Sequence, residues 1–254
     1  MTEKNLEQIA WVTGAGRGIG RALVSHLVKD GWTVAVSART EKELNTLKAE
    51  CPSGSVEVYP LDVTKVDATL EVLEKIEANL GSLRLVIFNA GTHVPMPVSA
   101  FSSSIFRSLM ETNFMGVVNG LEAVIPLFTK RQSGHIAIMG SLAGYRGLPT
   151  ASAYGASKAA LINMCEALKP ELEAVGVRLT LINPGFVETP LTAKNEFPMP
   201  FLIPVDEATN FIIKKLRNSP FEIAFPRQFV WLMKLLYHLP DRLFFIITRR
   251  LLKK

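Results

Sequence analysis

Short apolar runs rich in β-branched residues alternate with longer stretches of helical spacing over the first two-thirds of the chain. The runs at 9–13 (IAWVT), 33–37 (TVAVS), 56–60 (VEVYP), 83–88 (LRLVIF), 135–139 (HIAIM) and 178–182 (RLTLI) predict six strands. Helical patterns fall between them, at 18–30, up to Glu50, near 65–79, over roughly 103–130, and from about Tyr154 onward. Strands that are apolar on both faces and separated by helices predict parallel pairing with both faces covered. Right-handed crossovers then give an α/β fold, a doubly wound parallel sheet with helices on both faces. Ligands of such sheets bind at the carboxyl ends of the strands. Gly14, Asp62, Asn89, Ser141 and Pro184 each follow one of the predicted strands.

The turn between the first strand and the first helix reads TGAGRGIG, 13–20. A dinucleotide pyrophosphate needs close backbone approach, free N–H groups and a helix N-terminus, which Gly14, Gly18 and Gly20 around Ile19 would provide. The sheet is therefore expected to be of Rossmann type. The glycine spacing differs from the Gly-x-Gly-x-x-Gly fingerprint, and no Gly-Lys-Ser/Thr follows, which excludes a Walker loop. The second strand ends SART with no carboxylate from Ser37 to Thr40 to hold a ribose 2′-hydroxyl. Arg39 stands there instead, with Arg17 in the glycine turn. Two guanidinium groups suit a 2′-phosphate, so the expected cofactor is NADP(H).

Composition narrows the class further. The chain has 254 residues and 48% hydrophobic content, enough for one large domain with a substantial core. Cys51 and Cys165 lack metal-ligand spacing, and MTEKNLEQIA lacks the apolar stretch of a secretory signal. Reduced thiols, no metal and a cytoplasmic location are expected. The net charge of +5 is uneven. From Pro226 onward seven basic side chains stand against Asp241 alone, a net +6, which leaves −1 for the rest. That distribution argues against a nucleic-acid-binding face on the main domain. It also divides the chain into 1–225, the sheet domain, and 226–254, a basic, aromatic-rich helical C-terminal extension.

The stretch ASAYGASKAAL, 151–161, places Tyr154 and Lys158 one turn apart on a helix otherwise made of small residues. Ser141 precedes the tyrosine by thirteen residues, and Asn113 lies in TNFMG. With the glycine turn, this order of residues resembles the short-chain dehydrogenase/reductase family from about residue 9 to 225. The resemblance implies hydride transfer between a nicotinamide and a carbonyl or alcohol. Tyr154 would be the acid/base, its phenol made more acidic by the Lys158 ammonium and the positive ring of the oxidised nicotinamide. Ser141 would hydrogen-bond the substrate oxygen, Lys158 would bind the nicotinamide ribose, and Asn113 would hold a water beside Lys158. The resemblance also implies that Asp62 with Val63 contacts adenine, that Asn89, Ala90 and Gly91 line the cofactor crevice, and that Pro184, Gly185, Val187 and Thr189 hold the nicotinamide carboxamide. Phe88 departs from the family, which often has Asn there. Family members commonly form homodimers or homotetramers through their long central helices. Pro170 departs from a smooth helix and is expected to kink or break it.

The Pro-rich segment at about 186–204 takes the family's position for a substrate lid. Phe197, Met199, Phe201 and Leu202 predict an apolar surface and a lipophilic substrate, with Leu142, Tyr145 and Leu148 on the other wall beside Ser141. The tail is expected to form two short helices broken at Pro240. Three roles stay open for it: contact with an anionic membrane surface, cover for the substrate pocket or a subunit interface, and plain packing. Two alternatives to an enzyme are carried forward: a non-catalytic NADP-binding regulator or scaffold, and a membrane-surface protein acting through its tail.

Overall fold

The computed structural model describes residues 8–195 and 198–250. Seven strands form one parallel sheet: β1 (Ile9–Thr13), β2 (Thr33–Ser37), β3 (Val56–Val58), β4 (Leu83–Phe88), β5 (His135–Met139), β6 (Arg178–Pro184) and β7 (Glu222–Phe225), in the order β3-β2-β1-β4-β5-β6-β7. Alternate residues feed opposite layers. Ala10 and Val12 pack with Leu23 of α1 (Gly18–Lys29), Leu44 of α2 (Glu41–Glu50) and Ile212 of α7 (Val205–Leu216). Ile9 and Trp11 pack on the other side with Leu73 of α3 (Val66–Leu80), Val124 of α5 (Gly116–Arg131) and Leu161 of α6 (Ser152–Ala174). Every residue of β1 and β5 is buried, the consequence of a parallel sheet covered on both faces. The doubly wound α/β architecture is thus the one the apolar pattern predicts.

The chain runs from β1 outward to β2 and β3, then returns to place β4 on the other side of β1. This reversal opens a crevice beyond the carboxyl ends of β1 and β4, between the two flanking loops.

Several elements differ from the sequence reading. β3 stops at Val58, before Pro60, and β6 continues to Pro184. β7 closes the far edge of the sheet and α7 packs beside α1 on one of its faces, and neither was assigned from sequence. The helix expected over 103–130 is two helices, α4 (Ser103–Met110) and α5, joined by a π-helical turn at Glu111–Met115. Pro170 sits inside α6 without ending it. Pro170 and Glu166, whose carbonyl loses its partner, both lie exposed, so water can reach that carbonyl. Beyond β7, α8 (Arg227–His238) and α9 (Asp241–Arg250) flank Pro240.

Candidate active site

The glycine turn is built against the end of β4. Gly14 has φ +65°, and a Cβ there would lie 2.7 Å from Ala90 Cα. A Cβ on Gly20 would lie 2.3 Å from the Gly14 carbonyl oxygen, so the turn and the helix start are nested as closely as backbone allows. Asn89 Nδ2 donates to the carbonyls of Thr13 (3.0 Å) and Gly14 (3.1 Å), while Thr13 Oγ1 accepts from the backbone N–H of Asn89 and of Ala90. Arg17 is the N-cap of α1, yet its side chain makes no capping bond, and the first turn holds no acidic residue. The leading N–H groups at Gly18, Ile19 and Gly20 therefore face the crevice with the positive end of the helix dipole, a site chemically suited to phosphate.

At the far end of the crevice Asp62 Oδ1 accepts from Thr64 N–H (3.1 Å) and Thr64 Oγ1 (2.9 Å). Burial raises the Asp62 pKa, but these bonds and the nearby charges of Arg39 and Lys65 outweigh it and hold the carboxyl below its ordinary range. Arg17 and Arg39 are exposed at the rim. Glu43, which the sequence reading passed over, also lines the crevice, with its carboxylate against Gly16.

The same crevice reaches Ser141, Tyr154 and Lys158. Ser141 caps a short 3₁₀ turn, Leu142–Gly144, its Oγ accepting from Ala143 N–H at 3.1 Å. Its own N–H donates to Asn183 Oδ1 (3.0 Å). Lys158 is buried, and its Nζ donates to the Met139 carbonyl at 2.7 Å and sits 5.8 Å from the Tyr154 ring centre. Asn113 occupies the π-helical turn with no exposed surface. Its Nδ2 donates to the Thr92 carbonyl (2.9 Å) and to Ser157 Oγ (3.0 Å), and its Oδ1 accepts from Thr92 N–H (2.7 Å). Asn113 Oδ1 and Lys158 Nζ converge over Gly91, where a Cβ would lie 3.3 Å from one and 3.7 Å from the other. A side chain on Gly91 would fill that space.

Burial sets both ionisations. It lowers Lys158 to about 8. It raises the Tyr154 phenol above its ordinary value, opposed by the Ser141 hydrogen bond. Among the protein groups, desolvation is the dominant influence on the phenol.

The chain matches the family described as short chain dehydrogenase over residues 8–198. An uncharacterized oxidoreductase of Myxococcus xanthus is 40% identical over 95% of this chain and 96% of its own. This chain belongs to the short-chain dehydrogenase family. A short-chain dehydrogenase from Burkholderia cenocepacia, solved in complex with NADP, has a TM-score of 0.82 at 26% identity, with 98% of each chain covered. One from Burkholderia phymatum, solved with NAD, shares the fold at a TM-score of 0.81 and 21% identity, over 90% of this chain and 92% of its own.

In this short-chain dehydrogenase every residue expected at the nucleotide lines the one crevice, from Gly14 and Arg39 through Asn89 to Thr189. Asn113 lies just behind it. The substrate wall is corrected. Leu142 is buried beneath the tail helices with Phe229, Met233, Leu236 and Phe244, and Tyr145 and Leu148 pack against the same cluster. The Tyr145 hydroxyl donates to Glu222 Oε1. These three residues follow Ser141 in sequence, but the 3₁₀ turn directs them away from the crevice and into the body. Phe201 is exposed, 6.1 Å from the Phe229 ring, and Phe197 lies outside the described residues. Pro190, Leu191 and Thr192 line the crevice instead. Sequence reasoning also missed Asn183, which links Ser141 N–H to Glu222 Oε1 (2.8 Å). Its signal was present, as an amide in the strand run LTLINP.

Proposed function

We propose that this oxidoreductase uses NADP(H) to interconvert a carbonyl and an alcohol on a lipophilic small molecule. The observation that carries the reading is the arrival of Ser141, Tyr154 and Lys158 in the crevice that begins at the glycine turn. Gly18, Ile19 and Gly20 would hold the pyrophosphate at the α1 N-terminus, and Arg17 and Arg39 the 2′-phosphate. When bound, the nicotinamide supplies or accepts the hydride. Ser141 Oγ would donate a hydrogen bond to the substrate oxygen as negative charge builds there. The Tyr154 phenol would give that oxygen its proton in reduction and take it back in oxidation. Lys158, its pKa lowered to about 8, would bind the ribose hydroxyls and exchange its proton with a water held beside it by Asn113. Thr189 and the backbone of 184–187 would orient the nicotinamide. Val187, Pro190 and Leu191 on the wall, with Phe201 and Leu202 exposed beyond it, support an apolar substrate.

The test is Tyr154→Phe, assayed with a panel of ketones and aldehydes by NADPH absorbance. Turnover is expected to fall at least a hundredfold, in line with the ~10²–10⁴ typical of a general acid. NADPH binding, followed by protein fluorescence, is expected to change little. Retained turnover refutes the assigned acid.

A further inference from the structure

The α8–α9 pair uses only one of its faces on the body of the molecule. Phe229, Met233, Leu236 and Phe244 point inward. The outward face carries Trp231, 70% exposed, and Leu235, 62% exposed, one turn apart on α8. On α9 it carries exposed Leu243, Phe245, Ile246 and Ile247. Scattered exposed apolar residues are ordinary, whereas two adjacent helices both turning aromatic and aliphatic side chains outward mark an interaction surface.

Charge decides the occupant. Arg242, Arg249 and Arg250 stand among these apolar residues, and among the described residues none of them forms an ion pair. Asp241, the tail's one carboxylate side chain, is bound to Arg146 at 2.7 Å. A second copy docking by two-fold symmetry would bring this positive face against itself. An anionic bilayer offers phosphates to the guanidinium groups and an apolar layer below for Trp231 and its neighbours. No helix among the described residues is long and apolar enough to cross a membrane, so the contact lies along the surface. We propose that α8 and α9 seat this enzyme on the surface of an anionic lipid bilayer.

The seat adjoins the catalytic crevice. A Cβ on Gly185, which lines the crevice, would lie 2.6 Å from Phe229, at the start of α8. Exposed Phe201 and Leu202 extend the apolar surface from there. Lipid binding requires neither cofactor nor turnover, so its test is independent of the proposed reaction.

The full chain should be sedimented with vesicles of phosphatidylcholine alone and of phosphatidylcholine mixed with phosphatidylglycerol. Expected are retention on the mixed vesicles only, weakening with added salt, and a blue shift of the tryptophan emission. Trp231→Ala combined with Leu235→Ala and Phe245→Ala should abolish retention, with folding checked by thermal denaturation. Should that variant fail to fold, Arg242→Gln with Arg249→Gln and Arg250→Gln gives a second reading. Each charge removed should weaken binding about fivefold, on the order of a hundredfold for all three. Absence from mixed vesicles, or equal retention of either variant, overturns the proposal. So does a stable dimer in sedimentation velocity that the apolar variant dissociates while vesicles retain nothing, which assigns the face to a second copy.

Discussion

Arg39 carries the choice of nucleotide in the proposed reading, because it brings a guanidinium to the end of β2 and close enough to Asp62 to lower that carboxyl. Hydrogen bonds to charged groups contribute about 1.5–3 kcal/mol. Arg39→Asp should therefore weaken NADPH about ten- to hundredfold and NADH far less, as read by fluorescence titration. Equal losses remove the basis for choosing NADPH. Tyr154 and Lys158 were legible because helical spacing writes a shared face into local sequence. The partners of Thr13 and Asn183 were not, because each acts on backbone brought near from far along the chain: Thr13 on Ala90, Asn183 on Ser141. Leu142 was misassigned for a related reason. Its neighbour Ser141 indicated the crevice, while the partners that bury it, Phe229 and Phe244, come about ninety to a hundred residues later.

His135 opens β5 and is buried against β6. Its Nε2 lies 2.9 Å from Thr180 Oγ1, and that hydroxyl donates to the Pro220 carbonyl (2.7 Å). Thr180 therefore accepts, and Nε2 carries the proton of a neutral ring. Burial, helped by Arg178 and Lys169, lowers the His135 pKa to about 3. In the window between about 3 and the ordinary 6.5 the unfolded chain binds the proton and the folded chain does not. Stability owed to this group is present above that window and is lost as pH falls through it. His135→Gln should flatten the acid limb of a denaturation profile measured from pH ~7 down to ~4, and an unchanged slope refutes the assignment. The strands and main helices were readable because burial on both faces leaves continuous apolar runs. β7 was not: its four residues, EIAF, are too few to show a period. The π-helical turn has no apolar signature either, since it is set by the bonds Asn113 makes to Thr92 and Ser157.

One side chain makes several of the tail's polar contacts with the molecule. Arg146, just past the Ser141 turn, donates to the carbonyls of Leu236, Tyr237 (2.9 Å) and Leu239 (2.7 Å) at the end of α8 and pairs with Asp241 at the start of α9. Its guanidinium lies 3.9 Å from the Phe244 ring centre. It thereby satisfies carbonyls that every helix leaves open at its C-terminus. Arg146→Ala should cost about 2–4 kcal/mol and selectively raise amide exchange across 227–250. Uniform exchange over the whole chain would contradict that local role. Because Leu142 is covered by these same helices, the loop bearing Ser141 lacks these packing partners until α8 and α9 have left the ribosome. A nascent chain can complete the crevice at its glycine turn well before the Ser141 turn is packed from behind.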